Sequence, residues 1–269
     1  MPINLRSLFV PVQPTVKQSS DRVSYHEFLP HPDLQDYIYC YWQLSAPESL
    51  EKDFIYRVVS DGCIDIFFDL NIPQENFVMG FCKQHTEFQL ENSFNYIGIR
   101  FLPTAFPRIF NVSASELSNR SQYLNAVVPE TAAFIASNFH SALQMQQIHE
   151  LLDTHFIQLL KDITIKPDAR LYDAIAIILK NHGVVNVEKE LDTGISLRQL
   201  RRLFGFYIGT TAKTFSKVVR FQNMLCPKPS TQRSLENKLF YGAGYYDQAH
   251  FIKEFKNLYG LTPGKALER

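Results

Sequence analysis

Two hydrophobic rhythms divide the chain. Up to about residue 125, apolar positions recur at every second residue; beyond it they recur at every third or fourth. In YIYCYWQL (37–44), strict alternation sets Ile38, Cys40, Trp42 and Leu44 on one face and Tyr37, Tyr39, Tyr41 and Gln43 on the other. In CIDIFFDL (63–70), Ile64, Ile66, Phe68 and Leu70 oppose Asp65 and Asp69, after the hairpin-type turn pair Asp61-Gly62. FVMGFC (77–82) and FNYIGIRF (94–101) predict further short strands, so residues 1–125 read as a β-sandwich or small barrel. Ser113-x-x-Glu116 is a capping-box start for a short helix.

From Glu130 to Lys161 the period changes, with Leu143, Ile148, Leu151, Leu152, Phe156, Leu159 and Leu160 at helical spacing. Residues 126–167 therefore predict a helical connector that packs on the β domain or serves a dimer contact. Ile165-Lys166-Pro167-Asp168 marks a joint, because the residue before a proline resists the helix. A helix follows from Asp168 to His182, with Gly183 at its left-handed stop.

The helical remainder, 168–269, contains an internal repeat. ISLRQLRRLFGFYIGTT (195–211) and YDQAHFIKEFKNLYGLT (246–262) align at an offset of 51, pairing Leu200 with Phe251, Phe204 with Phe255, Gly209 with Gly260 and Thr211 with Thr262. Gly194 and Gly244 precede Ser196 and Asp247, which suit N-caps, and Ser196-x-x-Gln199 completes a capping box. A glycine turn followed by a capped helix is the helix-turn-helix layout, written here twice. Leu197, Leu200, Leu203 and Phe204 form an inward stripe, while Arg198, Arg201 and Arg202 share another face. Three crowded guanidiniums repel one another unless a polyanion relieves them, and arginine matches guanine bidentately. The equivalent face of the second copy carries Ala249, Ile252 and Lys253, with Gln248 and His250 beside them; His250 reads as a surface or packing residue. Thr211 with Lys213, and Thr262 with Pro263 and Lys265, place lysines at two helix N-termini suited to phosphate. A helix over 211–226, ended by Pro227 and Pro229, would join the two units and hold their reading helices about 34 Å apart, one DNA turn.

Charge changes the picture further. The net charge is zero, but residues 1–167 carry 11 Lys and Arg against 18 Asp and Glu (−7), and residues 168–269 carry 16 against 9 (+7). A basic half suits a polyanionic partner. With 45% hydrophobic and 20% charged residues, the chain is globular rather than disordered. Its apolar runs are too short for a membrane span, and its first residues lack the apolar core of a signal peptide. Cys40, Cys63, Cys82 and Cys226 form no C-x-x-C pair. A reduced, cytoplasmic setting is expected, with no metal, cofactor or membrane partner. No catalytic triad signature, phosphate loop or dinucleotide fingerprint occurs, and His26, His31 and His85 lack the spacing of a metal-dependent cupin, so no enzyme is expected.

Residues from about 168 to 267 resemble the DNA-binding domain of AraC/XylS-type bacterial transcription regulators, chiefly in GYYDQAHFIKEFKNLYGLTP (244–263) and LRQLRRLFGFYIGTTAKTF (197–215). RVVSDGCIDIFFDL (57–70) and IGIRFLPTAFPRIFNVSASELSNR (97–120) resemble, less specifically, a β-rich N-terminal domain of some of these regulators. The resemblance implies an α+β multidomain protein: an N-terminal β-sandwich or barrel-like domain, and a C-terminal all-α domain with two helix-turn-helix units joined by one long helix. It puts Arg198, Arg201 and Arg202, then Gln248, Ala249, Ile252 and Lys253, at base-facing positions. Double-stranded DNA, a small-molecule effector, a homodimer and a contact with RNA polymerase are the partners it implies. The family places a small residue four before each turn glycine; this chain has Glu190 and Phe240. The sequence does not identify the effector or its residues; Tyr37, Tyr39, Tyr41, Arg57 and Arg100 could line a pocket or belong to core edge and surface. The expected function is a sequence-specific, effector-responsive transcription regulator. The alternative is a ligand-sensing or interaction protein whose helix-turn-helix domain binds DNA weakly or not at all.

Overall fold

The structure, a computed structural model, describes residues 4–14, 22–46, 48–161, 168–226 and 244–267. The joint at 165–167 and Phe240 lie outside them. The expected α+β organisation is present: strands fill the first part and helices the second.

Eight strands are described: β1 (Ser24–Phe28), β2 (Ile38–Ala46), β3 (Phe54–Val58), β4 (Ile64–Asp69), β5 (Asn76–Met79), β6 (Thr86–Leu90), β7 (Phe94–Phe101) and β8 (Ser121–Tyr123). Six make one antiparallel sheet in the order β1-β2-β7-β4-β5-β8, and β3 pairs with β6 in a separate ribbon. The period-2 pattern of β4 does what it predicts: Ile64, Ile66 and Phe68 join Ile97, Ile99 and Phe101 of β7 in a core on the helix side. Cys40, Trp42 and Leu44 of β2 face the ribbon. The indole of Trp42 lies over its cross-strand partner Gly98, where a Cβ would fall 1.9 Å from the ring.

Three local expectations change. The strict alternation of β2 breaks at a register shift between Ile38 and Cys40, so Ile38 joins Tyr41 in the helix-side core. Asp61-Gly62 makes no hairpin; it carries the chain from the ribbon to the large sheet, since β4 pairs only with β5 and β7. Ser113 starts its helix without a side-chain cap, its hydroxyl meeting that of Ser115 at 2.8 Å.

Helices α1 (Ala105–Phe110), α2 (Ala114–Leu117), α3 (Pro129–Asn138) and α4 (Met145–Lys161) follow. Ile148, Leu152 and Phe156 of α4 press into the helix-side core, so the connector is part of the β domain's packing. The second part comprises α5 (Ala169–Lys180), α6 (Val187–Glu190), α7 (Leu197–Ile208), α8 (Ala212–Leu225), α9 (Gln248–Tyr259) and α10 (Pro263–Leu267). Helix α5 starts on the Asp168 side chain and leads to Gly183 at φ +75°, as the sequence predicts. No described helix is long and apolar enough to cross a membrane.

The two parts share apolar packing. Leu5, Phe9, Val59, Cys63 and Phe81 belong to the same core as the inward faces of α5, α7, α8 and α9.

Within α4, His155 stacks on Phe134 with ring centroids 4.0 Å apart and meets the buried Thr131 hydroxyl at 3.1 Å. Burial pushes its imidazole down to about 4. A base depressed on folding adds stability above its unfolded value, ~6.5, and that stability is lost as pH falls toward the folded value. The melting temperature should therefore drop between pH 7 and pH 4.5 by more in the wild type than in His155→Gln, as followed by circular dichroism. Parallel curves for the two proteins would show that His155 carries no such linkage.

Candidate nucleic-acid interface

Helix α7 forms for reasons visible in its sequence. The Ser196 hydroxyl accepts from the Gln199 N–H, Leu200, Phe204 and Ile208 point into the core, and Gly209 at φ +88° ends the helix. That orientation leaves Arg198, Arg201 and Arg202 exposed, and none of them makes an ion pair among the described residues. Helix α8 starts on the Thr211 hydroxyl, which accepts from Thr214 N–H. Exposed Lys213 lies in its first turn, and Arg201, Thr211 and Lys213 border one cleft.

The second copy repeats the design. Asp247 caps α9 by accepting from the His250 N–H at 2.7 Å, Phe251, Phe255 and Leu258 are buried, and Gly260 at φ +95° stops the helix. Gln248, Ala249, Ile252 and Lys253 are all exposed. Pro263 opens α10; Thr262 is half-buried before it and Lys265 is exposed. All seven base-facing candidates thus face outward. The helix expected to precede α9 lies outside the described residues. Glu190 is exposed rather than wedged between helices: its carboxylate accepts from the Asn186 N–H at the start of α6.

A buried ion pair that the repeat does not announce ties α8 to α9. Arg220 donates to Glu254 Oε1 at 2.5 Å and to the Gly244 carbonyl at 3.2 Å, and lies 4.1 Å from the centre of the Tyr245 ring. Lys217 adds a contact at 3.3 Å, and His250 faces the same carboxylate at 3.8 Å. The signal was present in the sequence: Glu254 falls on the apolar stripe of α9, where an unpaired carboxylate is costly.

The C-terminal ends of α7 and α9 dock on the β domain. At α7, Ser118 Oγ donates to the Gly209 carbonyl, and a Cβ on Gly209 would fall 2.8 Å from the Ala114 carbonyl oxygen. At α9, the Ser60 N–H donates to the Leu258 carbonyl (3.2 Å), the His85 N–H to the Asn257 carbonyl (3.0 Å), and Asn257 Nδ2 to the Lys83 carbonyl (3.0 Å). The side chain of Gln222 on α8 bridges Val12 and the Ser60 carbonyl. His85 is thus a docking residue, and His31 caps a short 3-10 turn; among the described residues no group of His, Cys, Asp and Glu is arranged to hold a metal. Burial pushes the Cys82 thiol up to about 11, which keeps it a neutral thiol at pH 7.

Between the ribbon and the large sheet lies a cavity of about 220 Å³. Trp42, Tyr56, Phe67 and Phe88 are among its walls, and Asp61, Asp65 and Arg100 form its charged end. Of the pocket residues considered from sequence, Arg100 lines it. Tyr37, Tyr39 and Tyr41 do not, and Arg57 pairs with Glu87 on β6.

Residues 26–122 match a family described as Domain of unknown function (DUF6597). No curated protein matches the sequence. Among solved structures, the chain is similar to ToxT from Vibrio cholerae O395 at 12% identity and TM-score 0.40, covering 93% of this chain and 98% of that one. It is similar also to ToxT from Vibrio cholerae strain SCE256 with unsaturated fatty acid bound, at 12% identity and TM-score 0.38, covering 93% and 96%.

Removing one member of a buried pair strands the other charge, a loss of about 3 kcal/mol. Glu254→Gln should therefore lower unfolding free energy by about that amount in urea titrations. A loss below about 1 kcal/mol would mean that Arg220 is adequately solvated without its partner.

Proposed function

We propose that the protein is a sequence-specific DNA-binding transcription regulator whose β domain answers a small effector. One observation carries the reading. Two sequence-related helices present Arg198, Arg201, Arg202 and Gln248, Ala249, Ile252, Lys253 to solvent while burying the paired positions Leu200 and Phe251, Phe204 and Phe255; Leu197, expected on the inward stripe, is instead exposed at the first turn of α7. Arginines left without carboxylate partners on a capped helix suit guanine edges in the major groove. Lys213 and Lys265, at the starts of α8 and α10, suit the flanking phosphates. The helix pair α6–α7 supplies the first helix-turn-helix, α9 the reading helix of the second, and α8 the joint between them.

Support for effector response comes from what the cavity wall also holds. Val59, Asp61, Cys63 and Cys82 line the cavity, and the same two segments carry the hydrogen bonds to Gln222 of α8 and to Asn257 and Leu258 of α9. A ligand that shifts this wall acts directly on the mounts of α8 and of the reading helix α9.

The double variant Arg201→Ala/Arg202→Ala tests the DNA reading. Both side chains are exposed, so its circular dichroism spectrum should match the wild type. Its affinity for a duplex selected from random sequence by the wild-type protein should fall at least ~30-fold, two contacts of roughly 1 kcal/mol or more each. Unchanged affinity in fluorescence anisotropy would refute the assignment. A wild-type affinity that does not vary with salt would favour the alternative of a sensor without DNA binding.

A further inference from the structure

The charged end of the β-domain cavity does not match the ligand that a buried arginine first suggests. Arg100 is 1% exposed and meets three carboxylates: Asp65 at 3.0 Å, Asp61 at 3.3 Å and Glu27 at 3.4 Å. One cation therefore stands against three anions. Asp65 also accepts from the Trp42 indole N–H at 2.9 Å, and Asp61 from Gln13 Nε2 at 2.8 Å and the Cys63 N–H at 3.0 Å, yet their side chains keep 16% and 11% exposure, so the surface left open is that of the acids. An anionic head group entering here would meet carboxylate oxygens before it met the guanidinium, and it would have to break an existing pair to reach it.

Independent signs point the same way. Tyr56 is 7% exposed, lines the cavity, and its hydroxyl makes no hydrogen bond among the described residues. That hydroxyl keeps surface in the cavity, where it offers an acceptor to a donor that enters. The carboxyl of Asp65 is pushed up by burial and by Asp61, against the pull of Arg100. Trp42, Phe67 and Phe88 contribute rings to a wall that also holds the aliphatic Leu44, Val58 and Leu90, and ring faces attract cations. At about 220 Å³ the space is below the ~300–1,000 Å³ of drug-sized sites.

We propose that this cavity binds a small organic ammonium ion with an apolar, ring-bearing body. The ammonium group donates hydrogen bonds to Asp61, Asp65 and the Tyr56 hydroxyl, and the body lies against Trp42, Phe67 and Phe88. This gives the ligand class of the proposed effector; it depends on the regulatory reading only for its consequence at DNA, because binding itself is measured without DNA.

Trp42 is the chain's single tryptophan, so its emission reports on the cavity. The full chain is titrated separately with 2-phenylethylammonium, 3-phenylpropionate and 2-phenylethanol, with calorimetry as a second readout. The amine should give a saturable change in emission, the alcohol should bind at least tenfold more weakly, and the carboxylate should not saturate over the same range. Asp61→Asn should weaken amine binding at least tenfold, and the milder Tyr56→Phe should weaken it with the fold intact. Carboxylate binding equal to or tighter than amine binding overturns the proposal, as does an amine titration that fails to saturate. Either failure leaves the DNA titration of the Arg201/Arg202 variant to be judged on its own.

Discussion

The arrangement depends on an apolar seam between the β domain and α8. Gly62, at φ +81°, turns the chain between ribbon and sheet directly beneath Phe215 and Val218, and Phe9 fills the space beside Phe215. These residues share one core with the inward faces of α7 and α9. Burial of each large side chain contributes roughly 1.5–3 kcal/mol, so separating the two parts would expose several such terms together. Because α8 lies between α7 and α9 in the chain and packs on both, the seam fixes the platform from which the two proposed reading helices project.

Much of that platform is legible from sequence, for a physical reason. Capped helices and glycine stops are local devices. Ser196, Gly209, Thr211, Asp247 and Gly260 act as their types and spacing predict. The alternation of β4 is equally local and equally reliable. What the sequence hides is non-local. β3 and β6 pair across a gap in the chain, and residues 4–14 reach the helical core, neither of which any short window displays. The shift in β2 escapes because it changes one residue's face without changing the residues' types. Glu254 and Gln222 are intermediate cases. Each stands on an apolar stripe as a polar exception, which signals a buried partner without naming it.

The two buried charge clusters differ in a way that separates structure from site. Around Glu254 the excess is cationic: Arg220 and Lys217 meet one carboxylate, and Tyr245 covers the guanidinium. Around Arg100 it is anionic, because three acids meet one base and two of those acids keep surface toward a cavity. The first cluster ties α8 to α9. The second, beside aromatic rings, retains attraction for a cation.

Gly209 and Gly260 connect these levels. They are equivalent positions of the repeat, each at the end of a helix whose first two turns carry the exposed side chains proposed to face bases. A helix stop in the left-handed region favours glycine, and glycine is also what lets a neighbouring surface come close. The β domain uses both opportunities, with α2 against Gly209 and with Arg57 and His85 against Gly260. The same requirement that ends each helix therefore supplies a docking point at the end away from the proposed reading side chains. A change at the ribbon can reach α9 through Arg57 and His85, and a change at α2 can reach α7, without touching the side chains proposed to read bases.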